Sequence, residues 1–308
     1  PHEVSIDLAP ELLRAGCHVI DLSGAFRLQE GDESIRRERF QKWYKIEHKA
    51  LDLVGEAVFG LSPFAQREVQ TAVNKKSPIL ISNPGCYATA IMLAAIPLLK
   101  SGLVEASSLV IDAKSGTSGA GRKAAENLLF TEVDGECLPY RVGQHQHLPE
   151  ICEYVQKYSG VCIDPMMTTS LLSTRRGIIA ALYFKLSPTG MSLAKREGSP
   201  NEGAEAGTAK ESTPKLEAQV ASAFAAAFEG YPLVQVRPLR DGEKLLSLKR
   251  VVGSARTQIT YQIVDNKIYV FSLIDNLIKG AAGQAVENLN TIFGWPVETA
   301  LIEMEGVL

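Results

Sequence analysis

Short apolar segments alternate with helical patterns over the first 85 residues of the chain. Residues 18–22 (HVIDL) and 78–82 (PILIS) are compact apolar runs, as strands buried on both faces of a sheet are. A short helical pattern covers Pro10 to Ala15, and a longer polar one runs from about Glu33 to Tyr44. Because strands that alternate with helices form parallel sheets, this part is predicted to be an α/β unit of the nucleotide-binding type.

After Asn83 the pattern changes to longer helices and alternating strands. An apolar helix is predicted over Tyr87 to Leu99, and Pro97 is expected to kink or end it. Further predicted elements are strands at 109–113 and 178–186, an alanine-rich helix at 215–228, a hairpin of 258–263 and 267–273 about Asp265-Asn266, and a last helix at about 281–293. The mixture predicts an α+β domain with a mixed, largely antiparallel sheet.

Composition excludes several classes of function. The 308 residues are 45% hydrophobic and 22% charged with a net charge of −3, so no basic excess suggests nucleic acid. No apolar run approaches the ~20 residues that a membrane span needs. The five cysteines are scattered and form no CxxC pair, which favours a reducing cytosol and free thiols over disulfides or zinc.

The segment Ser82-Asn83-Pro84-Gly85-Cys86 places a cysteine where a buried strand turns into an apolar helix. Unpaired N–H groups and the positive end of the helix dipole are expected there, and both would lower the thiol pKa. The same groups could stabilise an oxyanion after thiolate attack on a carbonyl. Cys86 is therefore a candidate nucleophile, and a buried structural cysteine beside a helix cap is the alternative.

Residues 144–150 (QHQHLPE) supply candidate proton-transfer groups. His145 and His147 suit proton transfer near neutral pH, and Pro149 restrains the loop before a helical run. The pair with Glu150 could instead bind a metal, but only His2, His18 and His48 remain elsewhere, which makes a metal the weaker hypothesis. A polar surface loop is the third alternative.

Three further segments could contact phosphate or a cofactor. Residues 112–122 (DAKSGTSGAGR) follow a strand with backbone N–H groups, hydroxyls and Arg122, although no Gly-Lys-Ser/Thr closes a Walker A motif. Ser23 and Arg27 follow the strand at 18–22 and could pair an anion. Residues 275–285 (DNLIKGAAGQA) carry small residues that permit close approach of a cofactor or of a neighbouring element.

Taken together, five segments resemble the N-acetyl-gamma-glutamyl-phosphate reductases, relatives of the aspartate-semialdehyde dehydrogenases. The segments occur in the family's order and are DLSGAFRL at 21–28, SNPGCYATA at 82–90, DAKSGTSGAGR at 112–122, HQHLPEI at 145–151 and DNLIKGAAGQAVEN at 275–288. Five ordered motifs are far more specific than any one of them.

The resemblance implies a fold and domain boundaries. Residues 1–85 would be part of an NADP-binding Rossmann domain, to which residues 281–308 return. Residues 86–280 would form the catalytic and oligomerisation domain, with residues 195–215 as a flexible polar insertion without chemistry. The resemblance also implies a homodimer or homotetramer in the cytoplasm, or in the plastid stroma of a plant or alga.

The resemblance also implies roles for residues. Cys86 would be the nucleophile that forms a thioester, His145 the acid/base, and NADPH the hydride donor that yields an aldehyde in arginine biosynthesis. The predicted substrate contacts are Ser23, Arg27, Asn83, Arg122, His147 and Glu150. The predicted cofactor contacts are Ser115, Gly116, Ser118, Gly119, Asn276, Lys279, Gly280 and Gly283, and no metal is expected.

The chain departs from the family pattern in two places. No strand and glycine-rich turn for a cofactor pyrophosphate precedes Ser23, so weak NADPH binding by this chain is expected. Thr169-Ser170-Leu171 stands ahead of Arg176-Gly177-Ile178, where the family usually has Pro-His-Leu.

Three alternatives stay open: a reductase of an aspartyl or aminoadipyl phosphate, a catalytically silent fragment or subunit, and a cysteine hydrolase.

Overall fold

The computed structural model describes residues 1–121, 124–194, 214–239, 246–303 and 305, and within them the strands form a three-stranded and a seven-stranded sheet. The strands are β1 (Val19–Asp21), β2 (Val58–Phe59), β3 (Leu80–Ser82), β4 (Val110–Gly116), β5 (Cys137–Pro139), β6 (Met166–Leu172), β7 (Ile178–Lys185), β8 (Val234–Pro238), β9 (Thr257–Val264) and β10 (Lys267–Ile274). The α-helices are α1 (His2–Arg14), α2 (Glu33–Tyr44), α3 (Leu51–Glu56), α4 (Gln66–Val73), α5 (Cys86–Ser101), α6 (Phe130–Val133), α7 (Leu148–Ser159), α8 (Pro188–Ala194), α9 (Pro214–Phe228) and α10 (Gly283–Phe293).

The smaller sheet has the order β1-β3-β2, and its strands are parallel, as the alternation of strands and helices predicts. Helix α2 has the predicted bounds and begins after Asp32, whose side chain accepts a hydrogen bond from the Ile35 N–H. Helix α1 is longer than the predicted pattern at Pro10 to Ala15, because its apolar positions Ile6 and Ala9 pack into the core. The last helix, α10, contacts α4 and β1.

The larger sheet has the order β5-β6-β4-β7-β10-β9-β8. Strands β4 and β6, and strands β8 and β9, are parallel, while the other neighbouring strands are antiparallel. The predicted hairpin is formed by β9 and β10, with Asp265 at φ 53° in the tight turn. The predicted mixed α+β architecture is confirmed.

Helix α5 is the central element of the larger core. All its residues from Tyr87 to Leu99 are buried, and it packs against α7, α9, β7 and β10. The expectation that Pro97 ends the helix is wrong, since α5 continues to Ser101. Packing on all sides compensates for the hydrogen bond that a proline removes.

The predicted glycine-rich loop is shorter than the sequence suggests. Strand β4 extends through Lys114, Ser115 and Gly116, where it pairs with β6, so the loop begins only at Thr117. In the predicted insertion, residues 195–213 lie outside the described residues, and α9 begins at Pro214.

Candidate active site

Cys86 is the first residue of α5, directly after the turn that follows β3. The turn is buried, and the N–H of Asn83 donates to the Asp21 carbonyl oxygen at 2.8 Å, which aligns the ends of β1 and β3. The first hydrogen bond of the helix runs from the Thr89 N–H to the Gly85 carbonyl oxygen. The preceding N–H groups of α5 therefore lack partners within the helix and surround the thiol, which is only partly buried.

The sequence-based prediction of a lowered Cys86 pKa is wrong in direction. Burial raises the pKa of the Cys86 thiol to about 11. The Arg27 guanidinium and the backbone N–H groups of Tyr87 and Cys86 act in the opposite sense but do not compensate. Desolvation in the folded protein thus outweighs the helix terminus, and the thiol needs a proton acceptor.

Two glycines allow other elements to approach Cys86 closely. A Cβ on Gly280 would lie 2.7 Å from the Cβ of Cys86, and a Cβ on Gly85 would lie 2.3 Å from Nε2 of His147. Neither position has room for a side chain. Cys86 is consequently packed against the segment before α10, and the residue before it, Gly85, is packed against the His147 ring.

Arg27 and Glu150 hold the backbone of the turn between β3 and α5 in place. Arg27 donates through Nε to the Asn83 carbonyl oxygen at 2.8 Å and through Nη2 to the Leu22 carbonyl oxygen at 3.0 Å. Its Nη1 lies 3.6 Å from Oε2 of Glu150, and Oε1 of Glu150 accepts the Gly85 N–H at 2.8 Å. Glu150 is fully buried, and burial raises its pKa although Arg27 opposes the shift. Both residues therefore position the backbone around Cys86.

His145 has both ring nitrogens engaged. Its Nδ1 accepts the backbone N–H of His147 at 3.1 Å, which assigns the proton of the neutral ring to Nε2. Nε2 lies 3.4 Å from the Tyr140 hydroxyl, which donates to the Tyr87 hydroxyl at 3.2 Å, and Tyr87 donates to the Ser170 carbonyl oxygen. His145 thus starts a directed chain of hydrogen bonds.

His147 has a different environment. Its Nε2 lies 3.4 Å from Nη1 of Arg27, an obligate donor, so Nε2 carries the lone pair. Its Nδ1 is buried without a hydrogen-bond partner among the described residues. Burial lowers the pKa of His145 to about 4 and that of His147 well below its ordinary value, so both rings are neutral near neutral pH. The lone pair of His147 lies beside Gly85, next to the nucleophile.

The predicted cofactor residues divide into two groups. Ser118 and Gly119 lie beside Asn276, whose Nδ2 donates to the Ser118 Oγ at 3.0 Å, and Ser115 lies against Gly119. A Cβ on Gly116 would lie 2.6 Å from the Arg176 nitrogen, so this glycine is required by the backbone packed on it. These four residues and Asn276 cluster at the end of β4, where Ser118 and Gly119 reach the surface, Ser115, Gly116 and Asn276 are buried, and Oδ1 of Asn276 accepts the Gly177 N–H at 2.7 Å.

Lys279 and Gly283 do not belong to that cluster. The Lys279 side chain is fully buried and its ammonium is bonded to Glu287 and Tyr231. This position argues against the predicted cofactor contact, because no donor of the ammonium remains free. Gly283 serves close packing, since a Cβ there would lie 2.7 Å from Cγ2 of Ile278.

The remaining predicted substrate residues are placed as follows. Ser23 is part-buried and its hydroxyl donates to Asp21 at 2.9 Å. Asn83 is fully buried and joins the turn to α10, donating to the Ala281 carbonyl oxygen and accepting from Asn288. Arg122 lies outside the described residues.

Sequence reasoning missed Tyr140, Gln284 and Asn288. Tyr140 stands five residues before His145, and Gln284 and Asn288 are spaced i, i+4 on one face of α10, where both donate to the Gly60 carbonyl oxygen. That spacing in a segment rich in small residues was the available signal.

Two buried polar atoms near the parallel sheet have no partner among the described residues: Oγ of Ser82, which ends β3, and Oε1 of Gln284. Cofactors of such sheets bind outside the carboxyl ends of the strands. A carboxamide-bearing ring such as nicotinamide offers both a donor and an acceptor to these atoms, so the residues present fit the group. Among the described residues, no group of three or more His, Cys, Asp or Glu side chains could hold a metal ion.

Comparison with known proteins gives the same assignment over most of the chain. The family model of the semialdehyde dehydrogenase NAD binding domain matches residues 1–72, and that of the semialdehyde dehydrogenase dimerisation domain matches residues 86–197. The N-acetyl-gamma-glutamyl-phosphate reductase of Geobacillus kaustophilus (strain HTA426) is 37% identical over 297 residues, which are 96% of this chain and 75% of that protein. The chain belongs to the N-acetyl-gamma-glutamyl-phosphate reductase family.

Other relatives agree with this family. The N-acetyl-gamma-glutamyl-phosphate reductase of Symbiobacterium thermophilum is 37% identical over 305 residues, covering 98% of this chain and 76% of that protein. In fold, the chain is similar to aspartate semialdehyde dehydrogenase II from Vibrio cholerae, with a TM-score of 0.62 and 15% identity over 95% of this chain and 77% of that one.

Membership of the N-acetyl-gamma-glutamyl-phosphate reductase family makes the protein an oxidoreductase of amino-acid biosynthesis with a nicotinamide-binding domain. No helix in the described part of the chain is long and apolar enough to cross a membrane.

Proposed function

We propose that the protein reduces N-acetyl-gamma-glutamyl phosphate to N-acetylglutamate semialdehyde through a thioester on Cys86, with NADPH as hydride donor. One observation carries the proposal: Cys86 begins α5 directly after a buried turn, and Arg27 and His147 both contact that turn. The relatives named N-acetyl-gamma-glutamyl-phosphate reductase cover nearly the whole chain, which favours this substrate over an aspartyl or aminoadipyl phosphate.

In the first step, Sγ of Cys86 attacks the carbonyl carbon of the acyl phosphate and inorganic phosphate leaves. The thiol proton passes to Nε2 of His147, whose lone pair lies beside the turn and faces Nη1 of Arg27 at 3.4 Å. His147 is favoured as the base over His145, the residue that the sequence suggested, because the lone pair of His145 at Nδ1 accepts a backbone N–H at 3.1 Å, whereas that of His147 has only the longer contact with Arg27. The unpaired N–H groups of α5 stabilise the oxyanion, and Arg122 remains the predicted contact of the leaving phosphate.

In the second step, the thioester is reduced and the aldehyde leaves. A nicotinamide cofactor supplies the hydride when bound. Ser82 and Gln284 would hold its carboxamide, and Ser118 and Gly119, which the buried Asn276 supports, would lie along its other side. His147 returns the proton to the departing sulfur, which restores the thiol.

We also propose that the protein is a homo-oligomer. The matched dimerisation domain contains β4, β6 and β7, whose strands share one sheet with β9 and β10. On the sheet face away from α5, Tyr183 and Tyr269 are only half-buried, with ring centroids 5.8 Å apart. An aromatic sheet face of this kind suits burial against a second copy.

The test is a coupled assay in the reverse direction. N-acetylglutamate semialdehyde or aspartate semialdehyde is supplied with phosphate and either NADP⁺ or NAD⁺, and absorbance of the reduced nicotinamide is followed. The proposal expects turnover with the acetylated substrate and NADP⁺, at least ~100-fold better in kcat/KM than with aspartate semialdehyde, and none in Cys86→Ser.

Other outcomes decide among the alternatives. Preference for aspartate semialdehyde would identify a sister reductase. In the forward direction, phosphate release from the acyl phosphate without oxidation of NADPH would indicate a cysteine hydrolase. Absence of any reaction in the folded protein, with either cofactor, would indicate a silent subunit.

A further inference from the structure

The chain between β10 and α10 forms a π-helical turn over Ile278–Ala282. Its hydrogen bonds run from the Gly280 N–H to the Asp275 carbonyl oxygen at 2.9 Å and from the Ala282 N–H to the Leu277 carbonyl oxygen at 3.0 Å. Single π turns are rare and occur frequently at functional sites. Here the turn presents Gly280 to Cys86, so its position determines the space around the nucleophile.

Lys279 precedes Gly280 and is buried completely. Its Nζ donates to Oε1 and Oε2 of Glu287 at 2.8 and 2.9 Å and to the Tyr231 hydroxyl at 3.0 Å. The Tyr231 hydroxyl donates to Glu287 in turn, and the buried Ser62 side chain is hydrogen-bonded to both of them. Every donor of the ammonium is used, although no atom of the pair is exposed to solvent.

The three members of the network come from different elements. Glu287 lies one turn into α10, Lys279 lies in the π turn, and Tyr231 follows α9 and precedes β8. The network therefore ties the π turn to two neighbouring elements.

A buried ion pair is a poor device for stability alone, because desolvation of both charges offsets their attraction. Well-packed apolar side chains of similar volume would hold the same elements together as strongly. Apolar contacts are not directional. An ammonium bonded to three oxygens, in contrast, fixes the turn in one register. Stability therefore does not account for this network.

We propose that Lys279, Glu287 and Tyr231 are positioning residues that fix the π turn so that Gly280 packs on Cys86 and holds its thiol in one orientation. The inference rests on the proposed function only in taking Cys86 as the nucleophile. In this inference Lys279 orients the thiol and does not contact a cofactor.

The experiment replaces the network by apolar groups in Lys279→Met/Glu287→Leu/Tyr231→Phe. The matched control is Lys157→Met/Glu68→Leu, which removes a Lys–Glu pair between α7 and α4 whose side chains are 38% and 39% exposed. Thermal unfolding, kcat and KM for the semialdehyde, and the rate of Cys86 alkylation by iodoacetamide are measured for both variants and the unaltered protein.

The proposal expects the triple variant to fold, with kcat lower by about tenfold or more because the attack geometry is lost, and KM within about threefold. Alkylation of Cys86 should become faster by about threefold or more, because withdrawal of Gly280 uncovers the thiol. The control should change neither rate.

Unchanged kcat and unchanged alkylation in the folded triple variant would overturn the proposal, since a network that serves only folding moves neither. Should the triple variant not fold, the single variant Tyr231→Phe, which retains the ion pair, is tested instead. It is expected to lower kcat and to raise the alkylation rate of Cys86 by about twofold each. Unchanged values of both would again overturn the proposal. If the unaltered protein has no reductase activity, the proposed function fails, and the alkylation rates still decide this inference.

Discussion

The Glu150 carboxylate accepts the backbone N–H of Gly85 at 2.8 Å, so a residue in the first turn of α7 holds the residue directly before Cys86. The other carboxylate oxygen faces the buried Arg27 guanidinium at 3.6 Å. Arg27 in turn binds the carbonyl oxygens of Leu22 and Asn83. The ends of β1 and β3 and the start of α7 are thereby joined around the nucleophile.

Loss of this carboxylate should destabilise the fold. In Glu150→Ala the Arg27 cation stays buried without its partner and the Gly85 N–H loses its acceptor. We expect the free energy of unfolding to fall by about 3–5 kcal/mol, as for other broken buried pairs. Urea denaturation at neutral pH measures the loss.

The control for this variant is Glu68→Ala, which breaks an exposed ion pair with Lys157. An exposed pair contributes about 1 kcal/mol or less, so this variant should unfold close to the unaltered protein. Equal losses in the two variants would show that the Glu150 contact contributes nothing beyond a surface pair.

Replacement of His145 and replacement of His147 should lower kcat to different extents. The His147 lone pair lies next to Gly85 with only a 3.4 Å contact to Arg27, whereas the His145 lone pair accepts a backbone N–H at 3.1 Å, so His147→Asn is expected to lower kcat by about 10²-fold. His145→Asn breaks the contact with Tyr140 and should have a smaller effect. Steady-state rates with N-acetylglutamate semialdehyde provide the comparison.

The reverse order would reinstate the sequence-based assignment. If His145→Asn abolished turnover and His147→Asn left it nearly intact, the proton would pass through Nε2 of His145 and the Tyr140 hydroxyl. Tyr140→Phe would then lower kcat as well, whereas it should change kcat little if His147 is the base.

Cys86 should react slowly with iodoacetamide at neutral pH. Burial disfavours the thiolate and raises the pKa to about 11, so only a small fraction is ionised at pH 7, and the alkylation rate should rise about tenfold per pH unit until that pKa is approached. Cys17, Cys137 and Cys162 are exposed and should be labelled first at pH 7. Mass spectrometry of peptides after brief treatment records the order.

Preferential labelling of Cys86 at pH 7 would contradict this order. It would mean that the helix terminus and Arg27 outweigh desolvation, as the sequence alone suggested. In that case Arg27→Met should slow the labelling of Cys86 strongly, because the guanidinium is the largest influence that lowers this pKa.

Local signals in the sequence predicted several elements correctly. The polar helical pattern from Glu33 to Tyr44 is α2 and Asp265-Asn266 turns β9 into β10, and each signal acts within a few residues. The strand, turn and helix around Cys86 were likewise visible, because a buried strand, an Asn-Pro-Gly turn and an apolar helix follow one another directly.

Distant contacts were not predictable in the same way. The sign of the Cys86 pKa depends on burial by segments far along the chain, and the burial of Lys279 depends on Tyr231, which lies 48 residues away. A lysine among small residues is compatible with a cofactor contact or with a buried ion pair, and only packing distinguishes the two. The roles of Lys279 and His147 therefore required the three-dimensional contacts.

A methyl group at Gly280 should disturb catalysis directly. In Gly280→Ala the new Cβ would lie 2.7 Å from the Cβ and 3.1 Å from the Cα of Cys86, so the π turn or the start of α5 must shift. We expect kcat to fall by about tenfold or more, because small displacements of a nucleophile are costly for attack. Steady-state rates and a thermal unfolding curve are measured together.

The control for Gly280→Ala is Gly55→Ala in α3, where the atom nearest to the added Cβ is Nη1 at the flexible end of the Arg36 side chain, at 2.7 Å. That end can move aside, and alanine favours a helix over glycine, so Gly55→Ala should keep full activity and at least equal stability. If Gly280→Ala also keeps full activity, the close approach of Gly280 to Cys86 is not needed for the reaction. A loss of kcat in Gly280→Ala alone, with the unfolding midpoint preserved, would instead place the effect at the orientation of the Cys86 thiol.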